Sequence, residues 1–437
     1  LNRETPKVIR RLQYTPPKGR SRPALWQGLA FGLILLSALS ARAADHAVAP
    51  GADLQAAINA ATAGDVLRLR RGTYQGPVVI DRPLFLIGEE GAVVNGTGLG
   101  SVFTLTAPDV RIEGLVITGS GIDVPKMDSA ILVKQTAKRA MILNNRLRNN
   151  LFGVYLHGAD GSQVKNNIIH GRRDLRTAEA GNGVSIWNAP GTKVTGNDIR
   201  YGRDGIFVNT SKRNVFQNNR FRDLRFAIHY MYTHDSRIIG NRSQDNHVAW
   251  ALMYSDRLEV RDNISQSDRD HGLLLNYVNN TKITGNQVRD SQGKCLFIYN
   301  AHKNQIAGNL FKGCPIGIHF TAGSERNDVY DNAFIGNQTQ VKYVGTRRVE
   351  WTFEGRGNYW SDNAAFDLNG DGLADRPYRP NDIVDDILWR YPQARILLNS
   401  PAIDVLRFAQ SKLPALYPGG VIDTAPLMQS PISEEGS

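Results

Sequence analysis

Cysteine is nearly absent from this chain: Cys295 and Cys314 are the two in 437 residues. So sparse a pair excludes a scaffold built on disulfides. The two lie 19 positions apart, which leaves three states open: a disulfide between neighbouring turns in an oxidising compartment, two buried thiols, or a two-thiol metal site. Long apolar runs are equally scarce. Residues 24–40 form one, preceded by a basic stretch and followed by Ala41-Arg42-Ala43, a small-x-small cleavage pattern with no stop-transfer sequence behind it. Residues 1–44 are therefore expected to be an export signal peptide, cleaved after Ala43 or Ala44, with a retained N-terminal anchor as the alternative. Beyond it no segment is long enough to cross a bilayer. An excess of one charge is also missing once that segment is set aside. It carries eight basic side chains and one acidic, so the formal charge falls from +11 to +4. Nucleic-acid binding then loses its main support.

Asparagine, in contrast, recurs at a near-fixed period. Asn145, Asn167, Asn197, Asn219, Asn241, Asn263, Asn286, Asn309 and Asn332 follow one another at 22, 30, 22, 22, 22, 23, 23 and 23 residues, mostly within Gly-Asn, Asn-Asn or Asp-Asn pairs. One turn thus carries an insertion of about eight residues, placed within Gly171 to Gly181. A short apolar stretch starts about fourteen residues before most of these asparagines: GVYLH at Gly153, GVSIW at Gly183, GIFVN at Gly205, AIHYM at Ala227, AWALM at Ala249, GLLLN at Gly272, CLFIY at Cys295 and GIHFT at Gly317. Each is too short for a helix and is bounded by turn residues, and a second strand such as RIIGN runs into the asparagine itself. The expected fold is all-β: a right-handed parallel β-helix solenoid over residues 45–350, in which the asparagines stack as a structural ladder. Leu54 to Ala61 reads as a short N-terminal capping helix, followed by strands from Val66 onward.

Strand alternation assigns a side to each residue. Positions two and four of the apolar stretches, such as Val154, Leu156, Ile206, Val208, Ile228, Tyr230, Leu273 and Leu275, face the core. Positions three and five then share the outer face. A solvated face should carry Lys, Thr, Ser and Glu; this one carries Tyr155, His157, Trp187, Phe207, Phe297, Tyr299 and His319, which we read as a partner-binding surface. A covering loop or tail is the competing reading. Met231 and Met253 fall in the same register on adjacent turns, with His229 two residues away on the same face. Two thioethers and an imidazole suit a soft ion such as Cu(I), while flexible methionines also suit adaptive protein contacts.

Residues 351–387 are expected to close the solenoid. Within them Asp367, Asn369, Asp371 and Asp375 place oxygens at alternate positions around Gly370 and Gly372, the first half of a calcium loop, although Tyr378 stands where the twelfth-position glutamate belongs. A structural calcium ion is set against a metal-free Asx-rich turn. Residues 388–437 are expected to hold a C-terminal helix and tail. Ser400-Pro401 begins that helix, with Ile403, Leu406, Ala409 and Leu413 on one face. Docking to a membrane partner competes with packing back on the β-helix.

AAINAATAGDVLRLRRGTYQGPVVID followed by LFLIGEEGAVVNG resembles the carbohydrate-binding and sugar-hydrolase β-helix superfamily. Four further segments are more specific: RFAIHYMYTHDSRIIGN (Arg225 to Asn241), HVAWALMYSDRLEVRDN (His247 to Asn263), GNYWSDN (Gly357 to Asn363) and DLNGDGLADRPYRP (Asp367 to Pro380). They resemble the NosD family of nitrous-oxide reductase maturation proteins, and the likeness runs from the capping helix to SPAIDVLRFAQ (Ser400 to Gln410). That resemblance implies a periplasmic protein, not an enzyme, that works with an ABC ATPase and its membrane permease. It further implies assembly of the copper-sulfur centre of nitrous-oxide reductase, a copper chaperone as partner, transient copper binding, and peripheral membrane association through the permease. The alternative is an exported polysaccharide-binding or polysaccharide-modifying β-helix. Its candidate acid-base groups are His234, Asp235, Asp268, Asp270 and His271.

Overall fold

The computed structural model describes residues 43–321, 323–398, 400–413 and 419–432. All but the last two residues of the expected signal peptide lie outside them. Among the described residues, the chain from Asp45 onward winds through three long parallel sheets. Sheet one has 13 strands, from Asp45–Val48 to Asp328–Tyr330, sheet two has 12, from Val78–Ile80 to Thr339–Val344, and sheet three has 13, from Gly72–Gln75 to Tyr359–Trp360. In the regular turns the chain passes from sheet two to sheet one to sheet three. The fold is therefore the expected all-β parallel β-helix. The inward positions fill its interior: Val154, Leu156, Ile206, Val208, Ile228, Tyr230, Leu273 and Leu275 are all buried.

The paired motifs around the period acquire a physical division of labour. The first residue of each pair turns the corner in the left-handed region, as Asn218 (φ 55°), Gly240 (φ 63°) and Asp262 (φ 58°) do. Gly, Asn and Asp tolerate that conformation, which fixes the choice of residue. The second residue is the ladder asparagine. Asn219 shows the pattern: its Nδ2 donates to Asn241 Oδ1 at 3.0 Å and to Val194 O at 2.9 Å, and its backbone N donates to the same Asn241 oxygen at 3.0 Å. Repeated at every turn from Asn145, this satisfies the buried corner amides without water. The ladder ends on Asn358, whose backbone N donates to Asp423 Oδ2 at 2.7 Å. Trp360 Nε1 donates to that oxygen at 2.8 Å.

Asp423 belongs to a tail that folds back on the solenoid, because Val421–Ile422 pairs in parallel with Val349–Glu350. The capping segment at the other end is α1, Leu54–Ala60, whose Leu54 and Ile58 are buried. Gln55 of α1 exchanges two bonds with the backbone of Val79, so the edge strand of sheet two is covered. Two further helices, α2 (Ile383–Arg390) and α3 (Pro401–Lys412), follow the closing segment. Ser400 sits at the N-cap of α3 with Pro401 in the first turn, and Ile403 is buried. Cys295 and Cys314 form a disulfide with a Cα–Cα distance of 5.7 Å. They meet because Cys295 is the second residue of the sheet-two strand Lys294–Tyr299 and Cys314 stands just before the next one, Ile316–Thr321.

Candidate functional site

Sheet two is the widest of the three where its strands lengthen to nine residues: Asp204–Lys212, Phe226–His234, Val248–Asp256 and His271–Asn279. Their outer face carries two columns in unbroken register. One runs Tyr155, Ser185, Phe207, His229, Ala251, Leu274, Phe297, His319. Its neighbour runs His157, Trp187, Asn209, Met231, Met253, Asn276, Tyr299. Met231 and Met253 are direct partners on adjacent strands, about 4.8 Å apart along the axis.

The face is less exposed than alternation alone implies. Trp187 and Tyr299 stand out in solvent, whereas Tyr155, His157, Phe207, His229, Met231, Met253, Phe297 and His319 are half-buried. At one strand spacing, large side chains cover their neighbours. His157 packs on Trp187 at 4.5 Å, Phe207 on His229 at 5.0 Å and Phe297 on His319 at 4.7 Å between ring centroids. Two of these imidazoles are pushed toward the neutral form: burial takes His319 down to about 4, helped by Lys294 and Lys342, and burial with Lys134 lowers His157.

His229 has a built environment. Its Nδ1 donates to Asp204 Oδ2 at 3.1 Å, and Arg225 grips the same carboxylate through Nε at 2.8 Å and a terminal nitrogen at 2.6 Å. Burial pushes the Asp204 carboxyl up, but the bonds from His229 and Arg225 outweigh it and hold the carboxyl below its usual range. The imidazole is thereby oriented with Nδ1 occupied and Nε2 left to act, the arrangement that outer-sphere carboxylates impose on metal-binding histidines. His229, Met231 and Met253 thus place one oriented imidazole and two thioethers on the same outer face.

Three residues escaped the alternation argument. Tyr232, Tyr254 and Tyr277 follow an outward residue and should point inward, yet all three are exposed. Each sits in the left-handed region, at φ 53°, 49° and 53°, so two successive side chains point outward. Their rings stack with centroids 5.1 Å apart at both steps, beside the methionine column. Their spacing of 22 and 23 residues, the solenoid period itself, was the available signal.

The calcium expectation finds no fit. Asp367 Oδ1 accepts from Gly370 N at 2.6 Å and its Oδ2 from Gly372 N at 2.8 Å; Asp371 Oδ1 accepts from Leu373 N at 2.9 Å, and Asp375 Oδ2 from Leu368 N at 2.8 Å. The loop's own amides use these oxygens, and Asn369 bonds to Asp371. The segment is a run of Asx turns. The acid-base candidates have structural partners too. Asp235 pairs with Arg257 at 2.6 Å, His234 Nδ1 accepts from Asp256 N at 3.1 Å, and Asp270 lies 2.9 Å from buried His271. Asp268 is sealed inside a corner, accepting from Ser243, Ser265 and the Asn246 amide. Among the described residues no helix is long and apolar enough to cross a membrane.

Together these features define a parallel β-helix protein that carries soft-metal donors and aromatic rings on one sheet. Residues 165–365 match the NosD family, described as periplasmic copper-binding proteins, and residues 45–247 match a family described as of unknown function. A probable ABC transporter binding protein NosD of Stutzerimonas stutzeri is 44% identical over 378 residues, covering 83% of this chain and 87% of that one. Its namesake from Pseudomonas aeruginosa is 41% identical, covering 84% and 89%. The chain belongs to the NosD family. Among solved structures it resembles the A-module of an Azotobacter vinelandii mannuronan C-5 epimerase, with TM-score 0.58 and 14% identity over 67% of this chain and 92% of that one. A family 6 polysaccharide lyase from human gut microbiota gives TM-score 0.56 and 12% identity, over 73% and 87%. At such identities the likeness is one of fold.

Proposed function

We propose that this chain is a periplasmic accessory protein that receives Cu(I) as cargo on the outer face of sheet two. It works with an ABC ATPase and its permease to mature the copper-sulfur centre of nitrous-oxide reductase. Support for the transporter and the copper comes from the names of its relatives and of its family. The observation that carries the reading is the in-register pair Met231 and Met253 beside a histidine whose Nδ1 is tied to buried Asp204. Thioethers favour Cu(I) over the harder divalent ions, and an imidazole is a common copper ligand.

On this reading the cargo is held by three side-chain donors on a half-exposed sheet, so an incoming partner's ligand can reach the ion and displace one donor at a time. The flanking rings, from Tyr155, His157, Trp187 and Phe207 to Phe297, Tyr299 and His319, with Tyr232, Tyr254 and Tyr277 beside them, form the docking surface for a copper chaperone and for the reductase. The polysaccharide-modifying alternative has weaker support, since Asp235 is paired with Arg257 and Asp268 is sealed inside a corner.

The test is a competition titration with a Cu(I) chelator. The double variant Met231→Ala, Met253→Ala should lose affinity by more than the roughly 10–100-fold that removal of an outer-sphere partner alone costs. Unchanged affinity would remove the metal role. In parallel, detergent extracts of native membranes should yield the protein together with an ATPase and a permease; recovery alone would count against the transporter assignment.

A further inference from the structure

The eight-residue insertion in the solenoid period has so far no function, and it borders the largest cavity described on the molecule. This pocket, about 850 Å³, opens at the C-terminal ends of the sheet-three strands Val116–Thr118, Arg146–Asn150, Ile168–Gly171 and Asp198–Arg200. The inserted residues Arg172, Arg173 and Asp174 wall it, and Arg148, His170 and Tyr201 line it. Arg148 and His170 are register partners on adjacent strands.

The charges in this pocket do not balance. Arg172 and Asp174 neutralise each other through bonds of 3.0 and 2.5 Å. Arg148 and Arg173 form no ion pair with any described residue, and no other carboxylate lines the pocket. Arg173 is held in place all the same, its guanidinium stacked over the Tyr201 ring at 4.7 Å. His170 packs edge-on against the same ring at 5.8 Å, and its Nε2 is buried without a hydrogen-bond partner. Two guanidinium forks without an ion-pair partner give the pocket a positive charge that disfavours a cation, and the imidazole nitrogen adds a further polar contact. Their chemistry suits oxyanions, whose planar or tetrahedral oxygens arginine binds through paired N–H groups. The volume admits a ligand of several tens of atoms, larger than a single inorganic ion.

We propose that this pocket binds a small ligand bearing oxyanion groups, phosphate or carboxylate, held by Arg148 and Arg173 beside His170. The site lies on sheet three, away from the methionine column on sheet two, and stands or falls independently of the copper reading.

The test uses the full exported chain and inorganic pyrophosphate as probe, with binding followed by calorimetry and by thermal shift at constant ionic strength. Saturable binding is expected, weakened at least about tenfold in the double variant Arg148→Ala, Arg173→Ala. Arg237→Ala, an exposed arginine on sheet one, should leave it unchanged. A second arm measures sedimentation with phosphatidylglycerol vesicles: capture that pyrophosphate competes away identifies a lipid headgroup as the source, and no capture alongside pyrophosphate binding identifies a free anion. Absence of saturable binding, or equal loss in the Arg237→Ala control, would overturn the proposal. Both pocket arginines are on the surface, and an unchanged circular-dichroism spectrum and unfolding midpoint of the unliganded variant serve as the check that it is folded.

Discussion

Asp268 offers the sharpest test of the ladder logic, because it stands in a corner column where its neighbour on the preceding turn is an asparagine. Asn246 donates from Nδ2 to Phe221 O at 3.1 Å and to Ser243 Oγ at 2.8 Å. The matching partners for position 268 are the Ser243 carbonyl and the Ser265 hydroxyl, and an ionised carboxylate can donate to neither. Burial therefore pushes the Asp268 carboxyl up to about 7, against the opposing bonds from Ser265, Ser243 and the Asn246 amide. Its folded pKa is raised above the unfolded one, so its contribution to stability is complete below the unfolded value and is lost as pH rises through about 7. A shift from 3.8 to about 7 corresponds to about 4 kcal/mol, most of it lost between about pH 4.5 and about pH 8. Asp268→Asn supplies the missing donors with the same shape and does not titrate. Its stability relative to the parent protein should therefore grow by about 3 kcal/mol over that interval. Urea unfolding of both proteins at several pH values reads this directly. With a slope of roughly 3 kcal/mol/M or more, the gap between midpoints should widen by up to ~1 M. Taking the difference cancels the other titrating groups. A gap that stays constant with pH would show that Asp268 does not change its charge on folding, and the reasoning would fail.

Asn241→Ala should destabilise the β-helix by about 3–5 kcal/mol, because it strands several buried partners, among them Phe216 O and the amide of Asn219, each costing about 1–3 kcal/mol; an unfolding midpoint within error of the parent would contradict a load on the ladder. Replacing Cys295 and Cys314 together by alanine should cost about 3 kcal/mol, as expected for a loop of this length. The same double variant should leave Cu(I) affinity unchanged in the chelator competition, since the disulfide has no part in the proposed cargo site.

The period, the strand type and the inward or outward assignment of most residues were legible in the sequence, because a solenoid repeats one local problem at every turn. Asn, Asp or Gly, which tolerate positive φ, precede each ladder asparagine, and the asparagine side chain both donates and accepts along the axis, so both constraints print at a fixed interval. Register followed from the same interval, which is why Met231 and Met253 could be paired from spacing alone. What the tertiary structure decided is everything that one repeat cannot encode. Tyr232, Tyr254 and Tyr277 point outward because their backbone leaves the strand region, which breaks the alternation on which a reading by position depends. Asp204 reaches His229 across a strand spacing, with Arg225 closing the cluster, and no short motif contains all three. Asp423 caps the ladder from 65 residues beyond Asn358. The calcium-like loop shows the converse: its residue pattern allows a metal or a set of turns, and the folded backbone forms Asx turns on its carboxylates.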